Sequence, residues 1–386
     1  PPPPSTRTRT QRIQGKCKVE RLSGLVIGCG GDILAQFQFS EFKACCATKF
    51  LKGASAIYSR VFFQAKTFST SLLQRVYCTM QQPACLAAVS AFHRLFQCPI
   101  LEVPTIPSPE RCALRVSLIR EELTEFSDAI KERDLVEVAD ALADIQYVLS
   151  GAVLEFGMGP AFKALFDEVQ RSNMSKACKT LEEATATGEH YKVKQGVDSF
   201  IEQASLDQFL VYRKGDSKVL KSVNYSPASL KPILDAAAQY NDATATSMPD
   251  TLNAVAAFHK LFRAPILSTP TIPGPDRCAL RVSLIAEELQ ELEDAIKEND
   301  IVEIADALCD IQYVLSGAVL EFGMGALFKQ LFDEVQRSNM SKACVTMEEA
   351  EATRTHYRLH YNPSTESTIE QVWWPGHEWF VALKQR

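Results

Sequence analysis

The chain has 386 residues, is 46% hydrophobic and 23% charged, and carries a net charge of −6 at pH 7, a composition ordinary for a globular protein of two or three domains. The acidic balance argues against nucleic acid as the main partner, because phosphate backbones attract basic surfaces. No stretch is long and apolar enough for a membrane span, and the twelve cysteines include no Cys-x-x-Cys pair, which speaks against a zinc ribbon or dithiol redox motif and fits a reducing compartment.

Charge is unevenly spread along the chain. Residues 1–82 hold twelve Lys and Arg against Glu20, Asp32 and Glu41, so they carry +9 and the remainder carries −15. This stretch is poor in acid and rich in Ser, Thr, Gln and Phe. It reads as an organelle transit peptide, with the mitochondrion as the expected destination and chloroplast or cytoplasm as alternatives. A disordered tail or translated non-coding sequence is the plainer reading.

The next feature is a duplication. Phe92 to Tyr191 aligns without a gap with Phe258 to Tyr357 at a constant offset of 166 positions. Roughly three-quarters of the aligned positions are identical, and the period is too long for a solenoid unit, so a whole domain is repeated. Each copy reads as four helices. The first spans about 83–97, with Leu86, Val89, Phe92 and Phe96 at helical spacing. A Pro-rich extended loop, Pro99–Pro107, follows. Helix two opens at Ser108-Pro109 as a capping Ser with Pro at the first helical position, and runs to Glu132. Helix three runs from Asp134 to Phe156, stopped by Gly157 and Gly159, and helix four from Pro160 to Asn173. The matching starts in the second copy are Gly274-Pro275, Asp300 and Gly325.

After helix four the first copy gains an appendage that the second is read as lacking. A short helix begins at Thr180. Phe209–Arg213 and Lys218–Ser222 then flank Lys214-Gly215-Asp216-Ser217 as a β-hairpin. The expected architecture is all-α, with two tandem four-helix bundles and a small β-hairpin appendage after the first. Its divisions are a leader over 1–82, a first domain over 83–235, a linker over 236–248, a second domain over 249–358 and a tail over 359–386. The tail holds Trp373, Trp374 and Trp379 and is given no role.

Each copy places five carboxylates on helices two and three. They are Glu121, Glu122, Glu125, Glu137 and Asp140, and again Glu287, Glu288, Glu291, Glu303 and Asp306. Leu114, Leu118, Glu121 and Glu125 share one helical face. Glu137, Asp140 and Asp144 run on through Tyr147, Gly151 and Leu154. An acidic stripe that turns apolar along one line is unlike a solvated face. Carboxylates held this close repel unless a cation lies among them, and a hard divalent cation prefers oxygen ligands. The bland alternatives are surface charge, ion pairs of Glu121 or Glu122 with Arg115 or Arg120, and a reciprocal capping box between Asp134 and Glu137. A second polar cluster, Arg171, Asn173 and Lys176 with its repeat Arg337, Asn339 and Lys342, offers donors for phosphate and for a sugar or base edge. Helix termination is the plainer reading there. His93 and His259 read as packing residues beside Phe92 and Phe258. Cys112, Cys178, Cys278 and Cys344 read as small core residues.

These residues resemble a known family. EExxE followed by ExxD on consecutive helices, with Asp134–Val148 and Arg171–Lys176, is similar to the all-α nucleoside triphosphate pyrophosphohydrolases, the MazG-like and phosphoribosyl-ATP pyrophosphohydrolase-like superfamily. The hairpin ending Lys218–Ser226 resembles a common extension of that branch. The resemblance implies Mg²⁺, with Mn²⁺ as the alternative, held by the ten carboxylates named above. It also implies hydrolysis of a nucleoside triphosphate between the α and β phosphates, giving a monophosphate and pyrophosphate. Glu122 or Glu125, and Glu288 or Glu291, are the expected general bases, and Arg171 and Lys176 the expected partners of the leaving pyrophosphate. The short interval from Glu125 to Glu137 requires a tight connection. Asp144 and Asp310, one turn on, are candidates without a family counterpart. Such bundles oligomerise to finish their sites, so the two copies are expected to form an intramolecular pseudo-dimer, with a further homodimer as an option. The rivals are phosphoribosyl-ATP pyrophosphohydrolase of histidine synthesis and a non-catalytic subunit of an organelle assembly.

Overall fold

The structure is a computed structural model that describes residues 80–238 and 247–360, with the backbone of 372–373 and 380–381. The proposed transit peptide up to residue 79, most of the linker, and Trp374 and Trp379 lie outside the described residues.

The first copy forms α1 (Cys85–Leu95), α2 (Pro109–Glu132), α3 (Leu135–Glu155) and α4 (Phe162–Met174). An appendage follows, made of α5 (Leu181–Gln195), β1 (Ser199–Ser205), β2 (Gln208–Arg213), β3 (Val219–Leu220) and α6 (Lys231–Ala237). The second copy forms α7 (Thr251–Phe262), α8 (Pro275–Glu298), α9 (Ile301–Glu321), α10 (Phe328–Met340) and α11 (Met347–His360). Among the described residues no helix is long and apolar enough to cross a membrane.

The helix boundaries follow local chemistry. Asp134 caps α3 by accepting from Val136 N at 2.9 Å and Glu137 N at 3.3 Å. The box is not reciprocal. Asp134 N donates to Ala129 O at 3.0 Å, so the Glu137 carboxylate is not spent on the cap. The capping Ser expected at α2 is also absent in function: Ser108 makes no side-chain cap bond, and Gly274 holds the same place in the second copy. The turn between α2 and α3 is a single left-handed residue, Arg133 at φ 57° or Asn299 at φ 56°. That is the tight connection the motif interval requires. The Pro-rich loop runs back along the end of α3, with Leu101 N on Leu154 O and Thr105 N on Phe156 O, both at 3.0 Å. A Cβ on Gly157 would stand 1.8 Å from Val103 O, and its φ is +70°, so only glycine fits there.

Within each copy the two long helices pack as a hairpin, and the first helix lies on the third. The fourth helices are exchanged. α4 packs on α9 and α7, while α10 packs on α3 and α1. α2 meets α8, and α3 meets α9, across a pseudo-two-fold axis. At that axis Gln146 Nε2 donates to Gln312 Oε1 at 2.7 Å, and the reverse bond is 2.8 Å. One hydrophobic core runs through both copies and includes Phe126, Leu142, Phe166, Phe322 and Phe332. Phe126 meets Phe322 across the interface at 5.3 Å. Met80 and Gln82 also belong to this unit, because Met80 N reaches Asn253 Oδ1 at 3.2 Å and Gln82 Oε1 accepts from Thr251 Oγ1 at 3.1 Å. The folded unit therefore starts slightly before the boundary that composition set at residue 82.

The expected hairpin is present as β2–β3, and the appendage adds a longer strand to it. Its main antiparallel pair is β1–β2, from Ser199↔Arg213 to Ser205↔Gln208, and β3 adds two further pairings, Val211↔Leu220 and Tyr212↔Val219. It is not peculiar to the first copy. α11 repeats α5, and Val372–Trp373 pairs antiparallel with Phe380–Val381. The signal was Ile369-Glu370-Gln371, which repeats Ile201-Glu202-Gln203 at a slightly longer offset.

Candidate active site

The third helices place their carboxylates as the sequence line suggests. Along α3, Glu137 is exposed, Asp140 and Asp144 are half-buried and Tyr147 is buried, and α9 repeats this with Glu303, Asp306, Asp310 and Tyr313. The second helices need correcting. Leu114 is 39% exposed, so the face it shares with Glu121 and Glu125 is not the buried one. The buried line of α2 runs through Cys112, Val116, Ile119, Leu123 and Phe126. Glu122 borders that line and is half-buried; Glu121 and Glu125 are exposed at the rim. The cluster is thus a seam between two helices, with a buried floor and an open outer edge.

Burial first, and mutual repulsion second, make these groups hard to ionise. Burial raises Glu122 to about 8, helped by the charges of Glu125, Asp140 and Glu121, and opposed by Lys342. Burial raises Glu288 to about 8, with Asp310, Glu291, Asp306 and Glu287 adding to it. Asp140 rises to about 6 through burial, Glu137 and Glu125. Asp144 rises well above the carboxylate range through burial, Glu122 and Asp140, and Asp310 rises to about 7 through burial and Asp306. Asp306 and Glu137 are also raised, by burial first and then by Glu303 and Asp134 respectively.

The alternatives of ion pairing fall away. Arg115 binds Glu155, and Arg120 binds Glu293 of the other copy, so neither neutralises Glu121 or Glu122. All the donors are carboxylate oxygens, several are half-buried and each raises its neighbours. That set fits a hard divalent cation. A closed cage, however, is not formed. Among the described residues no three carboxylate, His or Cys side chains stand close enough to hold one ion as placed. Repulsion between like charges opposes gathering them, and Glu121 accepts from Ser117 Oγ at 3.2 Å. Side-chain rotation at the rim would have to close the set.

The exchanged fourth helices bring a lysine to each seam from the opposite copy. Lys342 acts on Asp144 and Glu122, and Lys176 acts on Asp310 and Glu288. Burial lowers both ammonium groups. Asn173 accepts from Lys176 Nζ at 2.6 Å, and Asn339 is buried on α10. The arginines are placed elsewhere. Arg171 binds Glu168 at 2.7 Å and Pro227 O at 3.0 Å, and Arg337 binds Glu334 at 2.8 Å. Neither arginine is brought to the carboxylates.

Two sets of residues have a larger part than the sequence reading gave them. Tyr147 and Tyr313 floor the seams, each against a ring of the other copy: Phe332 at 5.9 Å and Phe166 at 5.8 Å. Burial raises both phenols further above their ordinary range. His93 is more than packing. Its Nδ1 donates to Pro99 O at 2.9 Å and its Nε2 accepts from Arg115 at 3.4 Å, which fixes the neutral tautomer. Burial and then Arg115 lower it to about 4. Burial would raise Glu155, but Arg115 and Arg111 reverse that and hold it below the usual range. This network, repeated through His259, Arg281, Glu321 and Arg277, ties the Pro-rich loop to the bundle. Cys112, Cys178 and Cys278 are buried as expected, while Cys344 is only half-buried.

Comparison with known proteins suggests a phosphoanhydride hydrolase. The family described as phosphoribosyl-ATP pyrophosphohydrolase matches twice, over residues 89–173 and 255–339. Each match falls within one copy, so the chain is similar to that family twice in tandem. "Uncharacterized protein L479" of Acanthamoeba polyphaga mimivirus is 24% identical over 213 residues, covering 33% of this chain and 85% of the relative.

Proposed function

We propose that the protein hydrolyses a nucleoside triphosphate between the α and β phosphates, with Mg²⁺ or Mn²⁺ bound at each carboxylate seam. The observation that carries this reading is the pairing, at both seams, of mutually raised carboxylates with a lysine from the opposite copy. Glu122, Glu125 and Asp140 would hold the cation with Glu121 and Glu137, and their counterparts in the second copy would do the same. The cation, when bound, neutralises phosphate oxygens. The chain's own residues do the rest. Glu122 and Glu288, half-buried on their helices, would accept a proton from water through an oxygen that the cation leaves free. Lys342 and Lys176, which act on each seam from the opposite copy, would hold a departing pyrophosphate. The buried tyrosine floor and the apolar helix faces exclude bulk water beneath the seam.

The test replaces both proposed bases, Glu122→Gln with Glu288→Gln, and measures nucleoside monophosphate and pyrophosphate release with Mg²⁺. Turnover should fall by about 10²-fold or more. Unchanged turnover would remove the seam from the reaction. The description of the matched family favours a second substrate, phosphoribosyl-ATP. A panel of canonical and modified triphosphates assayed beside phosphoribosyl-ATP separates the two by kcat/KM.

A further inference from the structure

The segment Lys221–Ser226, beyond β3, has no part in the chemistry described above. It lies along the end of α4 and is held there by several bonds. Ser222 N donates to Lys176 O at 3.1 Å, and Ser226 N donates to Ser175 Oγ at 3.0 Å. Ser172 Oγ donates to Tyr225 Oη at 3.2 Å. Lys221 Nζ stands 4.4 Å from the centre of the Tyr225 ring, a cation–π contact that keeps its ammonium at this place. Lys176 therefore has two neighbourhoods. Tyr225 and Lys221 of its own copy make one set, and Asp310 and Glu288 of the second copy's seam, whose helix α9 packs on α4, make the other.

Two ammonium groups brought near each other repel. Among the described residues neither Lys176 nor Lys221 is within ion-pair distance of a carboxylate. Lys176 bonds the neutral amide of Asn173, and Lys221 rests on a phenol ring. A multiply charged anion between them would relieve the repulsion. The acidic seam itself would push phosphate oxygens not engaged by a cation toward this side.

We propose that Lys221 and Tyr225, together with Lys176, form an anion subsite at the mouth of the second copy's carboxylate seam, and that it takes the terminal phosphates of the substrate. This rests on the pyrophosphohydrolase reading and adds a segment of the first copy's appendage to the second copy's site. The phenol hydroxyl, already accepting from Ser172, can still donate to a phosphate oxygen.

The test uses the full chain carrying Glu122→Gln, so that the second copy's seam is the working one. Lys221→Ala should raise KM about tenfold with kcat within about twofold, the pattern of lost ground-state binding. Titration with inorganic pyrophosphate in the absence of metal should show a matching loss of affinity. Lys221→Arg should restore both. In the Glu288→Gln background, where the first copy's seam works, Lys221→Ala should leave KM unchanged. Unaltered KM and pyrophosphate affinity in the first background would overturn the subsite. So would a loss of kcat, KM and thermal stability together that Lys221→Arg fails to rescue, since that marks a structural role. If the wild-type chain cleaves no nucleotide, the functional reading fails, yet the pyrophosphate titration still decides the subsite.

Discussion

Glu122 and Glu288 should weaken the fold on the alkaline side, and His93 and His259 on the acidic side. The two glutamates sit at about 8 in the folded chain against an ordinary 4.5. A raised folded value means that their contribution is fully present below 4.5 and is lost as pH rises through about 8. The histidines are lowered from 6.5 to about 4, so their contribution is present above 6.5 and is lost as pH falls through about 4. A divalent cation on the seam would offset only the first loss. Thermal melts in chelator should therefore show a falling Tm from about pH 6 to about pH 8.5, and millimolar Mg²⁺ should restore it. The gain should be much larger at about pH 8.5 than at about pH 5.5. An equal gain at both values would mean that the cation acts somewhere other than on these carboxylates.

The elements are joined by turns whose chemistry differs between the copies, which supplies an internal control. Arg133 holds a left-handed conformation at φ 57°, where the second copy uses Asn299 at φ 56°. Asparagine tolerates that region better than arginine. Arg133→Asn should stabilise the chain by about 0.5 kcal/mol and Asn299→Arg should destabilise it by a similar amount. Urea midpoints check both, and the same sign for the two changes would refute the backbone explanation. The helices were legible because their causes are local: Pro109 at the start of α2, Asp134 as a cap and Gly157 at a close backbone approach each act within a few residues. β1 was not legible, because Ser199–Ser205 alternates weakly and its register comes from pairing with β2. The buried face of α2 was misread through Leu114 because a spacing of four, three and four fits more than one line around a helix. Arg171 and Arg337 resembled phosphate donors, but each has a glutamate three residues earlier that claims it.

At the scale of the whole molecule, the exchange of α4 and α10 makes each seam a joint product of both copies. Nothing in the sequence of one copy shows this, because the partner surface is a near-identical sequence at another address. The copies have nonetheless diverged at their contact. Arg120 binds Glu293, whereas the corresponding residues on the other side of the axis are Ala286 and Ser127. Pairing like with like would place Arg120 opposite Ser127 and Glu293 opposite Ala286. The Arg120–Glu293 pair is about half exposed on the arginine side, so it contributes only about 0.2–1 kcal/mol and biases partner choice rather than decides it. The common core and the buried Gln146–Gln312 bonds carry the association. A protease site inserted within 239–246 makes this testable. After cleavage the two halves should co-elute in gel filtration as one particle of unchanged size and keep their activity, because each seam still has its lysine from the opposite copy. Lys342→Ala placed with Glu288→Gln should then silence the nicked and intact chains alike, although the first copy's carboxylates are untouched. Halves that separate and remain active alone would show that each copy completes its own site, and the exchanged arrangement would have no part in the chemistry.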